Sequence, residues 1–139
     1  MGKASENDKS LSKQEPLKRN TAQRQAIRQV FIDTRRPLSP TEALDKAAKL
    51  KKGIGIATIY RAVRDLVDEG WLRPVEIPGQ PPRYELMDLP HHHHFHCRGC
   101  GRTFDIHHCP GELMDIAPKD FLVESHHLTL LGLCADCRK

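Results

Sequence analysis

The sequence predicts an α+β protein: an N-terminal winged helix followed by a small α/β domain built around a structural zinc site. Three observations carry this. Residues 18–86 contain three stretches with helical apolar spacing followed by two short strand-like runs. Two Cys-x-x-Cys pairs, Cys97-Arg98-Gly99-Cys100 and Cys134-Ala135-Asp136-Cys137, offer four thiolates, the number a closed tetrahedral zinc site needs. Between these features five histidines, His91 to His94 and His96, run into the first pair. At 139 residues, two small halves would each have a thin core, and a metal is the expected staple for the weaker one.

The elements follow in order. Residues 1–16 are rich in Lys, Ser and Glu and read as a disordered polar tail. A first helix is expected over 21–32, with Ile27, Val30 and Phe31 on one face, broken by Arg35-Arg36-Pro37. Ser39-Pro40-Thr41-Glu42 is a capping box with proline at the first helical position. The helix it opens should bury Ala43, Leu44, Ala47 and Leu50. A third helix over 57–69, ended by Gly70, carries Ile59, Val63, Leu66 and Val67 as its stripe, with Thr58, Tyr60, Arg61 and Arg64 off it. Residues 71–77 and 83–87 are strands joined by Pro78-Gly79-Gln80-Pro81-Pro82, a hairpin with a stiff turn. After a linker at 88–90, strands are expected into Cys97, over 103–106 and as a pair at 121–124 and 128–131. A short helix opened by Pro110 interrupts them. The units are thus 1–16 (tail), 17–87 (winged helix), 88–90 (linker) and 91–139 (metal-binding domain).

Charge agrees with a DNA-binding first half. Residues 1–89 carry 17 Lys and Arg against 12 Asp and Glu, whereas residues 90–139 carry 5 against 6. The positive excess therefore lies in the helical half, as a nucleic-acid footprint would, although a solvated basic surface reads the same way. No apolar run approaches the roughly 20 residues of a membrane span. No apolar centre marks a signal peptide. A cytoplasmic protein is expected, and in that reducing compartment paired cysteines serve metals more often than disulfides.

Free buried thiols and a redox Cys-x-x-Cys are the alternatives for the cysteines, and a purification tag or a solvated polar strand for the histidines. Strand alternation gives the histidines a sharper reading: His92, His94 and His96 on one side, His91 and His93 on the other. Each His pair can start its own metal site, completed by carboxylates or imidazoles. His92 and His94 are expected to meet Glu85, at the end of the hairpin, and Asp105. His91 and His93 are expected to meet Glu112 and His126. His107, His108 and Cys109 lie just past Asp105 and either contribute to a site or form a polar turn.

Taken together, these residues resemble the ferric uptake regulator family of bacterial metal-dependent repressors over roughly 17–138. Ala57-Thr58-Ile59-Tyr60-Arg61 is similar to the family's recognition-helix motif, and Arg83-Tyr84-Glu85-Leu86 to the end of its wing. The histidine segment running into Cys97-Arg98-Gly99-Cys100-Gly101, and Leu131-Gly132-Leu133-Cys134-Ala135-Asp136-Cys137, are the most specific matches. The resemblance implies a homodimer, with 91–139 as its dimerisation domain, that represses transcription at a palindromic double-stranded DNA operator when loaded with metal. It implies structural zinc at Cys97, Cys100, Cys134 and Cys137, a regulatory metal at Glu85, His92, His94 and Asp105, and a further site at His91, His93, Glu112 and His126. Thr58, Tyr60, Arg61 and Arg64 would face DNA. Many relatives carry a histidine ligand just before the second helix; here the equivalent residue is Pro37. A four-ligand regulatory site favours zinc slightly over iron(II), with manganese also accepted. The competing functions are a peroxide-sensing regulator of the same family, a metal store or chaperone, and an enzyme with a zinc-activated water. No nucleophile triad accompanies the histidines, so an enzyme is not expected.

Overall fold

The computed structural model describes residues 21–139; the side chains of Thr21, Glu112 and Met114 lie outside that description. The tail expected over 1–16 and the start of the unit at 17–87 fall outside the described residues.

Helix α1 (Thr21–Thr34) buries Ile27, Val30 and Phe31 at i, i+3 and i+4. Helix α2 (Pro40–Leu50) opens on a complete capping box: the Glu42 amide donates to Ser39 Oγ at 3.2 Å and the Ser39 amide to Glu42 Oε1 at 3.4 Å. Helix α3 (Ile56–Asp68) buries Ile59, Val63 and Leu66, with Val67 packed at the margin. After it, Gly70 takes φ +76°, a left-handed turn that favours glycine. Leu50 was expected on the buried face of α2 but is 56% exposed. Its helix ends there, beyond the reach of α1 and α3, so the stripe stops at Ala47.

Strands β1 (Leu72–Val75) and β2 (Arg83–Leu86) form an antiparallel hairpin that pairs Leu72 with Leu86 and Arg73 with Glu85. Leu38 and Tyr84 exchange backbone hydrogen bonds at 2.9 Å, tying the hairpin to the α1–α2 connection. Ile27, Phe31, Leu38, Ala43, Ala47, Ile59, Val63, Leu66 and Leu72 form one apolar cluster. This is the winged-helix half.

The second sheet has the order β4-β3-β5. Strand β3 (His93–Cys97) pairs antiparallel with β4 (Thr103–Ile106) and parallel with β5 (Thr129–Gly132). A 310 turn at Gly111–Ile116 follows Pro110. The strand expected at 121–124 does not form. Phe121 and Leu122 are 71% and 85% exposed, so the segment packs its apolar side chains on nothing within the chain. β5 pairs instead with β3, anchored by the His94 amide on the Leu128 carbonyl at 3.0 Å and the Arg98 amide on the Gly132 carbonyl at 2.8 Å. Among the described residues, no helix is long and apolar enough to cross a membrane.

Candidate metal centres

Among the described residues, three clusters of four potential ligands assemble, each with its ligand atoms within 4.8 Å of one another. Sheet register builds all three.

The first is the cysteine cage. Cys97 lies opposite Gly132 in the parallel β3–β5 pair, so the Cys97–Cys100 turn and the Cys134–Cys137 turn emerge side by side. Cys100 Sγ and Cys134 Sγ are 4.0 Å apart. The Cys100 and Cys134 amides donate to Cys97 Sγ at 3.5 and 3.3 Å, and these bonds lower the Cys97 pKa to about 6, favouring the thiolate a metal needs. Arg102 Nε donates to Cys100 Sγ at 3.3 Å and lowers that thiol's pKa as well. Cys137 is pushed up to about 12 by its hydrogen bonds with Cys134 and Cys97. Four thiols that close cannot all ionise without a cation to share. Gly99 is required by close approach: a Cβ there would sit 3.0 Å from Cys137 Cβ and Sγ.

The second cluster joins the two halves. His94 lies directly opposite Asp105 across β3–β4, His92 precedes it by two residues, and Glu85 reaches in from β2. His92 Nε2 is 3.0 and 2.9 Å from the Glu85 oxygens, and His94 Nε2 is 3.2 Å from Glu85 Oε2. Asp105 Oδ1 lies 3.7 Å from His92 Nε2 and 3.6 Å from His94 Nε2. Donors at the corners of a tetrahedron around zinc, with bonds of roughly 2.0–2.1 Å, stand about 3.3 Å apart, so the spacing fits one ion. Asp105 Oδ1 is buried without a hydrogen-bond partner, the kind of orphan a cation would satisfy. Burial and neighbouring Glu85 raise the Asp105 pKa. Burial works against ionised Glu85, but hydrogen bonds from His94 and His92 outweigh it and its pKa falls. Burial opposes protonated His92; its bonds to the Pro90 carbonyl and Glu85 prevail, and its pKa rises. The Pro90 carbonyl, 2.7 Å from His92 Nδ1, also orients the ring with Nε2 toward the cluster. Arg73 Nε donates to Glu85 Oε1 at 2.9 Å. Pro37, which the sequence resemblance puts where a further histidine ligand would stand, is buried and has no ligand atom in its side chain.

The third cluster gathers His91, His93, Cys109 and His126. Cys109, which the sequence offers either as a ligand or as part of a polar turn, stands among the three histidines. Glu112, expected as the fourth member, lies in the 310 turn, and its side chain is outside the described ones. Burial and the neighbouring His91 and His126 hold the His93 pKa below 6.5, keeping the imidazole neutral and able to ligate. His96 is buried with Nδ1 3.1 Å from Thr103 Oγ1 and joins none of the clusters.

In the helical half, Tyr60 is 55% exposed, Arg61 and Arg64 are exposed and Thr58 is half-buried, all on α3 away from its apolar stripe. Arg61 Nη2 lies 3.5 Å from Thr58 Oγ1.

A model of the Ferric uptake regulator family matches residues 17–131. The ferric uptake regulation protein of Bordetella parapertussis is 34% identical over 89 residues, covering 62% of this chain and 64% of that relative. The chain thus spans under two thirds of the length of this curated relative. The zinc uptake regulation protein of Mycobacterium tuberculosis is 29% identical over 123 residues, 86% of this chain and 95% of its own length. The solved Vibrio cholerae ferric uptake regulator is similar in fold, with a TM-score of 0.67, 26% identity and coverage of 88% of this chain and 99% of its own length.

Proposed function

The chain belongs to the ferric uptake regulator family, and on that premise we propose that it is a metal-responsive repressor of metal-uptake or homeostasis genes that binds a palindromic double-stranded DNA operator as a homodimer. In this reading 17–87 is the DNA-binding domain, 88–90 the linker and 91–139 the dimerisation domain. The observation that carries it is the second cluster: Glu85 comes from the winged-helix hairpin, and His92, His94 and Asp105 from the other half. A cation shared by these four fixes the angle between the halves. In a dimer, that angle sets the spacing of the two α3 helices, which a two-fold operator reads. The His91, His93 and His126 cluster is a second site, and the four-cysteine cage is structural zinc.

Tyr60 and Arg61 are suited to the major groove, with Arg64 and Thr58 beside them. Dimerisation is supported by the apolar surface of the second half, where Ile116, Phe121, Leu122, Leu130 and Leu131 are exposed. Zinc is favoured over iron(II) at the regulatory site, since four nitrogen and oxygen donors suit a tetrahedral ion and Pro37 withholds a fifth. Manganese fits the oxygen donors as well. Relatives named for both ferric and zinc uptake are consistent with either metal.

The test is a DNA-binding titration of metal-stripped, zinc-caged protein with zinc, iron(II) and manganese. Zinc should activate at the lowest free concentration; a tighter response to iron(II) ends the zinc preference but not the regulator. His94→Ala should keep the dimer and the cage and lose metal-stimulated binding. A parental response from that variant would sink the inter-domain site. Arg61→Ala should weaken specific binding by about 1–3 kcal/mol if it contacts a base, with little loss on random DNA.

A further inference from the structure

We propose that Cys109 is the fourth ligand of the site built by His91, His93 and His126, making it a three-imidazole, one-thiolate centre for a zinc-class ion. This rests on the reading of those histidines as metal ligands and needs nothing from DNA recognition.

The geometry is closed around a point. His126 Nε2 stands 3.2 Å from each of His91 Nε2, His93 Nε2 and Cys109 Sγ, and Cys109 Sγ is 3.3 Å from His93 Nε2. The His126 separations from His91 and His93 match the roughly 3.3 Å edge of a tetrahedron with metal–nitrogen bonds near 2.0–2.1 Å, and the Cys109 sulfur stands a few tenths of an ångström inside the roughly 3.6 Å edge that a zinc–sulfur bond near 2.3 Å gives. Topology supplies each member. His91 and His93 take the side of the β3 line opposite His92 and His94. Cys109 lies three residues past Ile106, the cross-strand partner of His93. His126 lies three residues before Thr129, the parallel partner of His94. Both chain connections therefore return to the same side of the sheet.

The donor set decides the ligand. Glu85, His92, His94 and Asp105 present two nitrogens and two carboxylates, which suit zinc, iron(II) and manganese alike. A thiolate with three imidazoles is softer, and it disfavours manganese, magnesium and iron(II) relative to zinc, cobalt and copper. Two centres separated by one residue along a strand would thus sort metals by hardness, with zinc filling the thiolate centre whichever ion occupies its neighbour. Ligation deprotonates the Cys109 thiol and releases that proton to solvent.

Cobalt(II) is the probe. Protein with zinc in its four-cysteine cage is titrated with cobalt(II) while released zinc is measured. The expected result is a near-ultraviolet thiolate-to-cobalt charge-transfer absorption with no zinc release, absent from Cys109→Ala and Cys109→Ser. Zinc affinity of both variants at this centre should fall by at least the roughly 10–100-fold that accompanies loss of a supporting group around a metal. In the parent, a second equivalent of zinc should protect Cys109 from alkylation by iodoacetamide, read on the peptide that contains it. Cobalt bound through His91 and His93 without charge transfer, or with charge transfer that Cys109→Ala leaves unchanged, removes Cys109 and leaves a histidine site, to which Glu112→Gln would then be informative. Cobalt uptake that His91→Ala and His93→Ala do not alter overturns the site itself.

Discussion

The two halves of the molecule hold themselves together with different chemistry. From Ile27 to Leu72 the buried side chains are almost all apolar and form one cluster. From His91 onward, the buried side chains among the described residues are His92, His93, His96, Cys97 and Thr103. The first half gains stability from area removed from water, at roughly 25 cal/mol per Å2. The second half buries ligand atoms, which cost free energy unless something satisfies them. The difference teaches where metal dependence resides. The winged-helix half buries apolar surface that needs no ion, whereas the second sheet buries ligand atoms that an ion would satisfy.

The largest expected effect breaks the comparison at the cage. Structural zinc contributes on the order of 10–16 kcal/mol in small zinc-binding peptides, so Cys134→Ser should unfold the second half and abolish dimers while leaving the helical signal of α1–α3. Circular dichroism with sedimentation velocity would show this. A folded dimer of normal thermal stability would disprove the cage. Next is Leu66→Ala, which empties the centre of the apolar cluster and should cost about 2–5 kcal/mol. Denaturant unfolding should register that loss equally with and without added zinc; a zinc-dependent loss would mean that the halves are not separable. Smallest is Ser39→Ala, which removes the capping hydrogen bond of α2 at about 0.5–2 kcal/mol. It should lower the melting temperature of the first half and leave cobalt spectra of all three centres unchanged. A spectral change at the Glu85 centre would reveal coupling through Arg36 and Arg83, both of which pair with Glu42.

Much of this was legible in the chain. Helical spacing, the Ser39–Glu42 capping box and Gly70 mark α1 to α3 because their causes are local. Cysteine spacing marks the cage because two-residue turns aim paired sulfurs at one ion. Histidine alternation separates the two remaining centres because side chains on a strand face opposite sides by geometry alone. What was hidden depends on paths through space. Which residue beyond Ile106 returns to His93 is decided by the loop that leaves β4, and spacing does not distinguish Cys109 from Glu112. The apolar letters of 121–124 imitate a strand, but the parallel neighbour of β3 is β5. Leu50 continues a helical stripe past the point where another element exists to cover it.

The parallel pairing of β3 with β5 also has a consequence for how the molecule is made. Cys100 leaves the ribosome 34 residues before Cys134, and β5 must thread back beside β3 before the four sulfurs meet. The helical half, rich in local contacts, is ready far earlier, because long-range pairing must first overcome loop-closure entropy. During synthesis the chain therefore exposes half a cage and the open edge of β3 while α3 is already formed. On the proposed reading of the cage as structural zinc, maturation ends with ion capture, and the zinc supply at the moment of translation would set how many new chains reach a competent state.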